Sequence, residues 1–249
     1  MDALYNLIFD ISVILTAILA GIIVAVSGFG IGNLLTPILA IKFGGKVAIA
    51  AVALPHLIGT TLRFMFLKTK IDKKIFIYFG ITSAIGGLIG ALLYWKTTSQ
   101  ALTFIFGIIL IFASLMEFSG FLRKIKIGKN TALMGGLLSG FLGGLVGNQG
   151  GIRSAALLSF DMDQKAFIAT ATATAIGLII DAVRIPIYVV TQYSKITKAW
   201  ASIFLTIIGV IIGTLLGIKI LKIIPKNIFK TVVAILIFLL GILMLFKGV

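Results

Sequence analysis

A chain of 249 residues that is 60% hydrophobic and only 12% charged lacks the polar surface that a soluble fold of this size needs. Lysine and arginine number 22 against seven acidic residues, a formal charge of +15, and there is no cysteine, which excludes disulfides, thiolate metal sites and cysteine nucleophiles. The apolar runs do not alternate as barrel strands do. They are apolar all round, and in lipid such a run satisfies its own backbone only as a helix. The fold class expected is therefore all-α, a polytopic membrane protein of the cell membrane.

In chain order, eight apolar blocks stand out, at about 11–25, 47–67, 75–95, 102–118, 132–146, 167–190, 199–221 and 229–246. A spanning helix needs about 20 apolar residues, which most of these approach or exceed. The first block is preceded by Asp2 and Asp10 rather than a basic segment, so it reads as a retained span and not a signal peptide. After it comes Ser27-Gly28-Phe29-Gly30-Ile31-Gly32-Asn33, followed by a short apolar piece at 34–43 that contains Pro37. After the fifth block comes Gly147-Asn148-Gln149-Gly150-Gly151, followed by a second short piece at 152–160 with Arg153 near its start. At 1.5 Å per residue each piece covers about half of the hydrocarbon core, as a re-entrant or an interfacial helix.

The order of glycine break, short helix, long helices and basic loop occurs twice. Gly21–Gly28 aligns with Gly140–Gly147, and Gly32 then falls on Gly151. Further on, Gly86 and Gly90 align with Gly209 and Gly213. The chain thus divides into a first repeat at 1–122, a basic connector at 123–129 and a second repeat at 130–249, each with about four spanning helices plus one glycine-broken short helix. Four crossings per repeat would make the halves parallel; a fifth, if the short piece crosses, would invert them. Lysines and arginines on alternate loops are nearly balanced, so the positive-inside rule gives no orientation. The basic loops fit anionic lipid headgroups, and without interleaved aromatic residues they do not suggest nucleic acid.

Paired breaks of this kind are where secondary transporters bind substrate. In the second break, Gly147, Asn148, Gln149, Gly150 and Gly151 offer close backbone approach and amide donors, and Arg153 a bidentate contact for an oxyanion. In the first, Gly28, Gly30, Gly32 and Asn33 form the matching half-site. His56, the lone histidine, is a further candidate for substrate or proton contact. Asp181 and Arg184 share a face of a long apolar helix and read as a coupling element or a structural ion pair. Arg63, close to the end of its block, reads as snorkelling to headgroups. One histidine and scattered carboxylates give no metal-ligand cluster, no nucleophile elbow is visible, and neither a cofactor nor an enzymatic activity is expected.

These residues together resemble the sulfite exporter TauE/SafE family, also called the toluene sulfonate uptake permease family. The resemblance rests on Gly28-Phe29-Gly30-Ile31-Gly32 with Pro37 behind it, on Gly147–Gly151, on 50–55 and 169–174 in the helices that follow, and on Gly86–Gly90 and Gly209–Gly217. It extends over nearly the whole chain. It implies a secondary transporter of sulfite, organosulfonates or another small sulfur-containing anion. A carboxylate carrier is the alternative and an anion channel a weaker one. It also implies contact with membrane lipids and leaves the coupling ion open, protons being one option, and the oligomeric state open, a homodimer being one option. Asn33, Asn148 and Gln149, together with Ala156 where the family has a proline, depart from its common pattern.

Overall fold

The computed structural model describes residues 2–27, 30–67, 73–119, 129–147, 150, 175–220 and 226–247. Among them the helices are α1 (Asp2–Ser27), α2 (Ile31–Phe43), α3 (Gly45–Leu67), α4 (Lys73–Lys96), α5 (Ser99–Ser119), α6 (Lys129–Val146), α7 (Ala175–Lys198), α8 (Trp200–Ile220) and α9 (Lys226–Lys247). Six of these, α1, α3, α4, α5, α7 and α8, are long and apolar enough to cross a membrane. In α6 and α9 the described apolar stretches, Leu133–Val146 and Val233–Phe246, are shorter. The protein is an all-α, multi-pass integral membrane protein. Its outer face, including Leu15, Ile81, Phe112 and Phe204, is apolar because lipid is the solvent there.

The halves pack by exchange. α1 lies along α8, and α4 along α6; α3 meets α7, and α5 meets α9; α4 also touches α7 as α8 touches α3. Swapping α1 with α6, α3 with α7, α4 with α8 and α5 with α9 returns the same set of neighbours. The glycines show the equivalence atom by atom. A methyl group on Gly90 would run into the Phe141 carbonyl, and one on Gly213 into that of Ile18; one on Gly86 would meet the Leu137 carbonyl, and one on Gly209 that of Ile14. Lipid gives helices no hydrophobic reason to associate, so such pairs hold through close packing, which these glycines permit. A single numerical offset relates all these contacts, and it sets Gly21 opposite Gly144 rather than Gly140, since Gly21 faces Val210 as Gly144 faces Gly87. The sequence alignment of this helix is therefore slipped by one turn: aligning the breaks hides that α1 continues one turn further than α6.

The same contacts fix the sense of the helices. Lys42, at the end of α2, bonds Asn6 at the start of α1 (2.7 Å), so α2 turns back alongside α1. Lys46, at the start of α3, donates to the Trp95 and Thr97 carbonyls at the end of α4 (2.8 and 2.7 Å). Hence α1 leaves this side of the molecule and α4 arrives at it. α6 runs with α4, since Gly140 and Gly144 meet Ser83 and Gly87 in the same order. So α6 runs opposite to α1, as a half containing a returning α2 requires, and of the two arrangements left open above the inverted one is observed.

α2 is not interfacial: nine of its 13 residues, Asn33, Thr36 and Pro37 among them, are buried inside the bundle. Pro37 sits in its second turn, where it removes one helix bond. Gly44 makes the turn into α3 with φ 77°, a conformation that glycine adopts without strain. α3 is the most deeply buried of the long helices and stands at the centre. α7 continues to Lys198 with a break in helical geometry at Gln192, so Lys195 and Lys198 lie within the helix.

Candidate functional site

The two breaks meet. A methyl on Gly32, in the first turn of α2, would lie 3.0 Å from the Gly147 carbonyl at the end of α6. Gly30 caps α2 with φ 128° and Gly147 ends α6 with φ 76°; both values suit glycine alone. The ten residue steps from Gly32 to Lys42 put this meeting point about 15 Å inward from Lys42, within a hydrocarbon core of about 30 Å. The amino end of α2, with its unpaired amides and positive dipole end, therefore opens into the interior. Asn33 is buried there. Gly150 is buried as well. Gly28, Asn148, Gln149, Gly151 and Arg153 lie outside the described residues.

Behind this point stands a buried ionic cluster. Asp181 Oδ1 accepts from Arg184 Nε (2.9 Å) and Nη2 (2.8 Å), and its Oδ2 lies 2.7 Å from His56 Nδ1. The Asp181 and Arg184 side chains are 0% and 1% exposed. Their three-residue spacing puts them on one face of α7, as expected from the sequence. The approach of His56, from α3 in the other half, is new: nothing in a linear chain shows which carboxylate a distant histidine will meet.

Arg184 also closes α6. Its Nη1 donates to the Gly143 carbonyl (3.1 Å), which the Gly147 amide already bonds (3.0 Å). Tyr188, one turn further along α7, donates its hydroxyl to the Gly144 carbonyl. The carbonyls of a helix's last turn carry the negative end of the dipole, so a guanidinium and a phenol are suited to them. A methyl on Gly147 would be 2.7 Å from Arg184 Nη1, so the cation lies against the break itself. The Tyr188 ring continues to Tyr94 (4.2 Å between centroids), whose hydroxyl donates to the Lys46 carbonyl (2.8 Å). The sequence reading missed Tyr188; its signal was its i+4 spacing from Arg184.

Arg63 does not snorkel. It is buried and donates to the carbonyls of Val24 (3.3 Å) and Gly59 (3.3 Å) and to the Thr60 hydroxyl (3.3 Å). Val24 lies in the last turn of α1, as Gly143 does in α6. The arginines therefore do the same work in the two halves. Thr61 bonds the Leu57 carbonyl of its own helix and points away from the site.

The sulfite exporter TauE/SafE family matches residues 13–244. The chain belongs to that family. No curated protein and no solved structure matches it. TauE/SafE proteins are membrane transporters of small anions, not enzymes, and the described residues hold no group of three metal-ligating side chains. The geometry suits such a transporter: inverted halves, two broken helices meeting at depth, and a buried cation beside them.

Proposed function

We propose that this TauE/SafE transporter moves a small sulfur oxyanion, sulfite or an organosulfonate, by alternating access, and binds it where the two breaks meet. The observation that carries this reading is the contact of Gly32 with the Gly147 carbonyl directly beside Arg184. The amino end of α2 and the Asn33 amide face the anion from one side. The second break faces it from the other, with Asn148, Gln149 and Arg153 as further donors and Arg184 supplying charge. These groups replace the anion's hydration shell. The repeats, 1–122 and 130–249, are the bodies that move, and the glycine-lined α1–α8 and α4–α6 pairs join them.

Counterflow in proteoliposomes tests this reading. Vesicles loaded with unlabelled sulfite, sulfoacetate, taurine, sulfate, thiosulfate or acetate are placed in labelled sulfite or sulfoacetate. Exchange with sulfur oxyanions alone, reduced at least tenfold in Arg153→Ala, is the expected result. Exchange with acetate and no sulfur anion would replace the substrate by a carboxylate. Exchange that survives in Arg153→Ala removes that side chain from the site.

A further inference from the structure

The bond between His56 and Asp181 joins α3 to α7, the central helix of one half to that of the other. Movement of one half against the other must strain or break it. We propose, building on the anion-transport reading above, that this pair carries the coupling proton and that His56 Nε2 is the atom that takes it up and releases it.

The hydrogen-bond roles identify the atom. Asp181 is bonded by a guanidinium through Oδ1 and so acts as a carboxylate, which only accepts. His56 Nδ1 must then be the donor to Oδ2, and the neutral ring keeps its lone pair on Nε2. Nε2 has no hydrogen-bond partner among the described residues, and the His56 side chain retains 12% exposure while Asp181 is sealed. A proton therefore reaches the cluster through Nε2. The charges around it are few. α7 supplies Asp181, Arg184 and the phenol of Tyr188, and α3 itself supplies Arg63. Lys42 of α2 and Lys219 of α8 are exposed in the last turns of their helices, and α5 presents no charged side chain among those described.

Charge balance provides the coupling. Protonation of His56 adds one positive charge to the Asp181–Arg184 pair, and Arg184 lies against Gly147. The added charge favours an anion at the breaks within this low-dielectric interior. Linkage makes the effect mutual: the proton raises anion affinity and the anion raises proton affinity by the same factor.

The test uses the full-length protein in vesicles containing a trapped pH dye, with labelled sulfite and with sulfoacetate, which is fully ionised near neutral pH and brings no proton of its own. Acid outside should drive several-fold accumulation of the anion, and the lumen should acidify only when the anion is present. His56→Gln should retain measurable exchange that no longer rises as the pH falls, while losing both gradient-driven accumulation and the anion-dependent proton signal. Full accumulation in His56→Gln overturns the proposal. So does loss of exchange in both His56→Gln and His56→Asn, which would place the ring in the anion path or in the fold. Parent exchange with no proton signal for either anion sinks this proposal alone, whereas absence of exchange with every anion sinks the transport reading beneath it.

Discussion

Arg63 and Arg184 occupy matching places and keep different company. Each holds a carbonyl in the last turn of the helix that leads to its break, Val24 for one and Gly143 for the other. Each also bonds the residue three positions before it, Thr60 for the first and Asp181 for the second. One partner is a hydroxyl and the other a carboxylate that also holds a histidine from the opposite half. The duplicated frame thus supplies two matching anchors, and among the described residues a carboxylate and a histidine gather at the Arg184 anchor. What is common to both halves builds the scaffold; what is unique to one is the better place to look for function.

The largest expected effect comes from stripping the charged arm. Asp181→Asn leaves a buried guanidinium without its counter-ion and should lower stability by about 3–5 kcal/mol, seen as a clear drop in the thermal unfolding midpoint in detergent. Thr60→Val on the other arm removes one hydrogen bond to a guanidinium and should cost less, about 1.5–3 kcal/mol. Equal losses would mean that the two arms carry the same load and that the comparison has no energetic content.

The scaffold itself should respond symmetrically. Gly90→Ala and Gly213→Ala each drive a methyl into a backbone carbonyl of the facing helix. Each should cost about 1–3 kcal/mol by the same unfolding assay, and the two values should agree closely. A large loss in one with none in the other would break the equivalence of the α4–α6 and α1–α8 pairs. The smallest effect is expected at Tyr188. Tyr188→Phe keeps the ring on Tyr94 and removes only the hydrogen bond to Gly144, a loss of about 0.5–1.5 kcal/mol.

Much of this was legible in the sequence because lipid imposes a simple code. Apolar runs of spanning length gave the helices, and the glycines of 86, 90, 209 and 213 marked close packing before their partners were known. Gly30 and Gly147 marked the breaks because few other residues suit their backbone conformations, and Gly32 because a side chain there would meet the Gly147 carbonyl. The inversion was not legible, because the loop charges are balanced and only the Lys42–Asn6 and Lys46–Thr97 contacts show which ends share a side. Nor was the meeting of His56 with Asp181, which depends on how two halves dock. Arg63 was misjudged for a related reason: closeness to a helix end suggests snorkelling, but the end of α3 lies beside α1, where a carbonyl was waiting.

The most direct test of the central claim places a methyl between the two breaks. In Gly32→Ala the new group sits 3.0 Å from the Gly147 carbonyl, and in Gly80→Ala an equally close methyl meets only the flexible end of Ile179. Counterflow of labelled sulfite should fall at least tenfold in the first variant and stay within twofold of the parent in the second, with both proteins eluting as the parent does. Parent-like exchange in Gly32→Ala would contradict the account and move the anion away from the meeting of the breaks.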